Sequence, residues 1–321
     1  MITPSVAPVT RRVHAYFAPV NRETCAPAPF DPAQSGCFPL HIPPAPWVDL
    51  GWLSQFVRKS GTKVEAIRAG SPAMAMAQVR TEAEATVSFE FEAWGKLQMT
   101  LASGSQQTNL LTTAPNAAPN GSGGVAAAPV PLLTGTGPAS TATSLNVGAA
   151  AATQFSVGCL VAVDADYTGQ TGYLGAGVST AYVRTPPADI NFIRRVTLNV
   201  GVVISIADGV LQLADPLPAG APTAGMQVSQ LAGFCDREGA SFFQEWSALF
   251  VHEGAQGDRI LYHYPRLQSM HGSAEVAEAL AAPLESIRLA AAFRALPVKD
   301  PNDGETVLCF RSYLPAALRS V

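Results

Sequence analysis

The sequence predicts an all-β fold with one packed helix: a β-sandwich or barrel with a second, smaller β domain inserted into it. Three observations lead there. Between residues 83 and 94 apolar and polar side chains alternate, with Val87, Phe89, Phe91 and Ala93 on one side and Thr86, Ser88, Glu90 and Glu92 on the other. A period of two marks a half-buried strand, because successive side chains leave a strand on opposite faces. Two further alternating sets follow, Phe155, Val157, Cys159, Val161 and Val163, then Val196, Leu198, Val200, Val202, Ile204 and Ile206. Convincing helix signals gather at one place only. Ser273 can cap a helix over 273–282, Glu275 and Glu278 suit its positive end, Val276, Ala277, Leu280 and Leu284 give an apolar stripe, and Pro283 stops it.

Taken in order, residues 1–46 hold ten of the chain's 26 prolines, so this stretch reads as an extended arm with one short strand at 13–17, of the kind that stays ordered on a neighbouring subunit. Residues 47–103 read as the first half of a β domain, with short strands at 63–68 and 74–80 before the long strand at 83–94. Residues 97–163 contain no Asp, Glu, Lys, Arg or His. Within them, 104–142 is dominated by Gly, Pro, Ala, Ser and Thr and reads either as a linker or as a loop packed between subunits. Residues 143–231 form the inserted β unit, where Asp208-Gly209 signals a tight hairpin. Residues 232–321 return to the first domain, with strands at 241–251 and 259–264, the helix at 273–282, a strand at 287–295, a turn at 301–304 and a returning strand at 306–313.

Composition narrows the function. Charged residues make up 14% of the 321, well below the usual share of about 25%. Either part of the surface is covered by other subunits, or the coat is one of neutral polar residues. The net charge of −4 leaves no basic footprint for gripping phosphates. The five cysteines are scattered and form no CxxC pair, so no zinc knuckle is expected; Cys25 and Cys37 stand close enough in sequence for a local disulfide. No run is long and apolar enough for a transmembrane helix, the N-terminus lacks the apolar core of a signal peptide, and synthesis in a reducing cytoplasm follows.

Chemistry is hard to find. No GxSxG elbow and no phosphate-binding GxxxxGK[ST] loop is present. Gly169, Gly172, Gly175 and Gly177 miss the dinucleotide fingerprint and read as a flexible turn. Asp164 and Asp166 open a D-x-D run, but Gly175 stands where a calcium loop needs Glu. His252, His263 and His271 match no zinc spacing and read as solvent-facing or hydrogen-bonded histidines. Trp47, Trp52, Trp94 and Trp246 are spread widely and read as core. Neither an enzyme nor a cofactor or metal site is expected. Two clusters remain. Glu84, Glu90 and Glu92 form an acidic row on the polar face of the long strand, and Asp236, Arg237 and Glu238 form a candidate inter-subunit ion-pair cluster where the insertion rejoins the main domain.

The order Trp47-Val-Asp-Leu-Gly-Trp52, Ile67-Arg-Ala-Gly70 and the strand at 83–94, closed by Leu289–Pro297 and the strand at 306–313, resembles the tail tube proteins of long-tailed bacteriophages. The resemblance covers residues 47–103 and 232–321. It implies a helix packed on a β-sandwich, six-membered rings stacked into a hollow tube, and a lumen through which DNA passes without sequence recognition. Its partners would be further copies of itself and other tail proteins, its place the virion tail, and the acidic row would face the lumen or the solvent. Two other readings stay open from the sequence: another virion part, such as a baseplate, tail-terminator or capsid-decorating protein, and a carbohydrate-binding adhesin.

Overall fold

The computed structural model describes residues 12–20, 25–44, 46–113, 127–135, 137–164, 177–178, 199–217, 220–223, 225–237, 245–254, 257–270, 275–281 and 284–316. In chain order the elements are β1 (Val13–Pro19), α1 (Pro32–Ser35), β2 (Val48–Ala69), β3 (Met74–Phe91), α2 (Lys96–Ser103), β4 (Gln106–Leu111), β5 (Val130–Pro131), β6 (Ser144–Asn146) and α3 (Ala149–Ala152). They continue as β7 (Leu160–Asp164), β8 (Gly177–Val178), β9 (Val200–Ala207), β10 (Val210–Leu213), β11 (Gln227–Arg237), β12 (Glu245–Glu253), β13 (Arg259–Ser269), β14 (Glu275–Ala281), β15 (Leu284–Ala295), β16 (Val298–Lys299), β17 (Thr306–Val307) and β18 (Phe310–Leu314). The fold is all-β, with three short helices among the described residues.

The chain divides into two compact units, residues 1–105 with 241–321, and residues 106–240. In the first, eight strands run in the order β14-β15-β3-β2-β1-β12-β13-β18, and an added pairing of β15 with β13 closes six of them into a ring. The pairings are antiparallel. Alternation puts one side chain in two inside this ring. Phe17 sits among Phe89, Trp246, Phe250 and Phe293, with ring centroids 5.4–6.4 Å apart. Tilted and edge-to-face rings at this spacing are the favoured aromatic arrangement. As expected, Val87, Phe89 and Phe91 are buried, while Ser88 and Glu92 are exposed; Ala93, expected on the buried side, lies past the end of β3 and is exposed.

The described part of the proline-rich segment packs on its own unit. Its strand, β1, lies inside the sheet between β2 and β12. Residues 25–44 then strap the other face of the same sheet. Tyr16 donates its hydroxyl to Leu40 O (2.7 Å), the Ala28 amide donates to Ser247 Oγ (2.8 Å), and Arg259 donates to Gly36 O (3.1 Å) and Phe38 O (2.7 Å). A strap rich in proline has few amides to satisfy, which suits it to lying across a sheet face without joining a ladder. Asp31 caps α1 by accepting from Ala33 N and Gln34 N. Cys25 and Cys37 are not joined to each other, so the local disulfide does not form.

The helix expected at 273–282 is a strand. β14 pairs with β15 from Glu275↔Leu289 to Ala281↔Leu284. A helix this short cannot sustain itself, and an immediately following strand offers a hairpin partner, so pairing overrides the capping signals. The helix that does pack on this unit is α2. It buries Leu97, Thr100 and Leu101 on one face, against β15 and β13, and ends at Gly104 in a left-handed conformation (φ 67°) whose N–H donates to Thr100 O. The returning strand also differs. Thr306–Val307 pairs with β16, and Phe310–Leu314 pairs with β13 rather than with β15.

The second unit holds a sheet in the order β6-β10-β9-β7-β11-β4-β8, with β5 beside β11. The stretch expected as a linker therefore supplies two strands. Its core includes Leu145, Val161, Val163, Val203, Leu211 and Val228. Asp208 (φ 50°) and Gly209 (φ 81°) make the anticipated two-residue hairpin, both in the left-handed region that such turns require. On β9 the apolar set runs opposite to a simple burial pattern: Val203 is buried while Val202 and Ile204 are exposed. Gly201 lies on the inner face, and a Cβ there would stand 2.9 Å from the Leu213 side chain that covers it.

Candidate assembly surface

The most unusual feature of the first unit is the length of β2 and β3. β1 pairs with β2 only from Val48 to Leu53, and β15 pairs with β3 only from Thr86 to Phe91. From Ser60–Ala69 opposite Met74–Ala85 the two strands run on as a ribbon whose outer edges are paired with no third strand among the described residues. The side chains of residues 59–84 are exposed on both faces. At its root the ribbon is held firmly. Phe56 packs on Phe250 at 5.0 Å, and Arg58 donates from Nε to the Tyr264 hydroxyl (2.7 Å) while its guanidinium lies over the Tyr262 ring.

Register assigns the ribbon's faces, since residues opposite each other in an antiparallel pair share one. Glu65↔Val79 and Ile67↔Ala77 lie on one face, Val64↔Arg80 and Ala66↔Gln78 on the other. Near the tip, Ile67 (53%), Met74 (63%) and Met76 (69%) are more than half exposed. Scattered apolar residues on a surface need no explanation, but apolar side chains this exposed at the tip of a strand pair with open edges make it a candidate interaction surface.

Of the acidic row, Glu84 is exposed and lies 3.1 Å from Arg294, and Glu92, just past β3, lies 3.3 Å from Arg12. Glu90 is half-buried and opposes Ala290 and Ser54. All three are on the side of β3 turned away from the aromatic core, beside Thr86, Ser88, Ala290 and Ala292. Glu84 and Glu92 thus each carry a cation, and the face is closer to neutral than acidic. The side chains of Asp236 and Arg237, and the whole of Glu238, lie outside the described residues, as do His271, Asp166 and the glycines at 169, 172 and 175.

The unit also contains a pocket of about 420 Å³. Its floor is one face of the β13–β18 pair, where His263 opposes Phe310 and Leu261 opposes Ser312; the strap and the turn at 298–302 form its walls. His263 is enclosed by Phe310 in a stack at 5.9 Å and by the edges of Trp47 and Phe30. Burial holds its imidazole down at about 4, against which a hydrogen bond to the Ala28 backbone pulls only weakly. His252 is likewise shifted down by burial, and packs against Phe56 and Tyr262. Trp47 and Trp246 are core residues, but Trp94 is exposed.

Sequence reasoning found the strands at 63–68 and 74–80 but missed that they are the free end of strands of 22 and 18 residues. It missed the pocket entirely, since its walls come from four separate stretches of chain. No protein-family model matches the sequence, and no curated protein matches it.

Proposed function

We propose that the chain is a structural protein that assembles with copies of itself into closed rings, stacked as a hollow tail tube of a bacteriophage virion through which DNA passes. One observation carries this reading: the β2–β3 ribbon, whose two open edges and exposed tip ask for a further strand or surface. An isolated two-stranded hairpin is marginal in water, so a ribbon of this length gains its stability from a partner. Neighbouring copies are the simplest source, because identical chains that bind through two different patches close into rings when the rotation allows. The 14% share of charged residues supports the same reading, since a covered surface needs less charge. The near-neutral face with Glu84, Glu90 and Glu92 suits a lumen wall, which must let phosphates slide and not hold them.

Electron microscopy of the purified chain over a wide concentration range tests the proposal. Hollow tubes of uniform width with a regular axial repeat are expected. Rings that never stack would move the assignment to another virion part, and particles that remain monomeric at all concentrations and salts would overturn self-assembly altogether.

A further inference from the structure

We infer that the β2–β3 ribbon tip of one copy docks into the β13–β18 pocket of the next, with Met74 and Met76 entering the cavity beside Phe310. The inference rests on the self-assembly reading and names its contact. Both halves are present on one chain, and neither fills the other. Met74 and Met76 are 63% and 69% exposed, so the tip is not seated in its own chain's pocket. The pocket's volume of about 420 Å³ falls within the range of roughly 300–1,000 Å³ that holds a compact apolar group. Its walls are proline-rich, Pro27, Pro29, Pro32, Pro265 and Pro301 among them, and so present few amides that would object to an apolar guest.

Charge points the same way. Beyond the Lys63–Glu82 pair the tip carries Arg68 and Arg80 against Glu65 alone. The turn at the pocket's rim carries Asp300, Asp303 and Glu305 against Lys299 alone. The tip is thus net positive and the rim net negative, the complementarity that steers and registers two surfaces. Methionine is apt for such a contact because its flexible side chain fills irregular gaps. A tip in one place and a pocket in another make a head-to-tail contact, the type that closes into rings.

Two variants test it, Met76→Asp at the tip and Ser312→Trp to fill the pocket, with folding checked by circular dichroism and thermal melting. Sizes are read by analytical ultracentrifugation. Each variant alone is expected to raise the concentration needed for assembly by about tenfold or more, the effect of losing one buried apolar side chain. An equimolar mixture retains one intact tip and one intact pocket per pair, and is expected to stop at heterodimers. Should Ser312→Trp assemble as the parent chain does while Met76→Asp does not, the tip docks elsewhere and the inference falls, with self-assembly standing. A parent chain that never assembles would instead sink the self-assembly reading, and this inference with it. Should either substitution impair folding, Arg68→Glu and Asp303→Lys replace them: each alone is expected to weaken assembly and the pair in one chain to restore it, and no restoration overturns the contact.

Discussion

The buried imidazole of His263 makes the first unit sensitive to acid, by an amount that can be worked out. In the unfolded chain this group titrates near 6.5; in the fold, burial among Phe30, Trp47 and Phe310 holds it down at about 4. Between those values the unfolded state binds a proton that the folded state refuses, so stability falls as pH drops. The loss begins just above pH 6.5 and is complete below pH 4. From pH 7 to pH 5 it comes to about 2 kcal/mol, at 1.36 kcal/mol for each unit of separation. His252, also shifted down by burial, adds to the slope in the same direction. The assay is urea unfolding of the parent chain and of His263→Phe at both pH values. Phenylalanine keeps the stack with Phe310 and the edge contacts while removing the titration. The variant is expected to lose about 2 kcal/mol less than the parent over this interval, out of a total stability of about 5–15 kcal/mol. Equal losses in the two proteins would mean that the imidazole is not shielded and that the pocket admits water to its floor.

Three further outcomes follow from the geometry. Phe250→Ala, which empties a fully buried ring from between Phe17, Phe89 and Tyr264, should cost about 3–5 kcal/mol in denaturant unfolding. Gly209→Ala should destabilise the second unit by more than about 1 kcal/mol, because the position has a φ of 81° and an added Cβ would stand 2.5 Å from the Gly148–Ala149 backbone; a neutral result in calorimetry would refute the turn. In hydrogen exchange, amides of residues 59–69 and 74–85 should exchange early in the dispersed protein and become protected on assembly, whereas those of β1 and β12 should be slow in both; a ribbon already as protected as β1 would remove the need for a partner strand.

How much the sequence discloses depends on how local the cause is. Val87, Phe89 and Phe91 announce their strand because one face is buried along its whole inner length, which leaves the period visible. Asp208-Gly209 announces its hairpin because the left-handed backbone it needs admits few residues. The segment 275–281 misleads because its capping residues and alanines satisfy a helix locally, while the deciding fact, the register with β15, is tertiary. α2 goes unseen although Leu97, Leu101 and Gly104 spell it, since it occupies only eight residues beside a stronger strand signal. The site follows the same division. Glu84 and Glu92 are rightly placed on the polar side of β3, but their partners Arg294 and Arg12 stand far away in sequence, so their near-neutral character could not be read. The pocket around His263 is assembled from the strap, β13, the 298–302 turn and β18, and nothing in any one of these foretells it.

How the first unit disposes of its strand edges bears on where the proposed assembly contacts would fall. The ring of the first unit satisfies its own core strands, so its closed wall offers no edge to a partner. What it leaves unsatisfied is displaced to three places: the ribbon, the terminal strands β14 and β18, and the pocket. β14 pairs only with β15 and β18 only with β13 among the described residues, so each presents one open edge. A monomer that works alone gains nothing from open edges, and natural proteins blunt them with charge, proline or a covering segment. Here the sequence does cover one face, spending a proline-rich strap on it, yet leaves a ribbon of exposed methionines and a strand edge beside an apolar cavity. That contrast within one unit supports the proposal that the exposed elements are kept open for a partner, and the presence of both complementary parts on one chain supports the proposal that the partner is another copy.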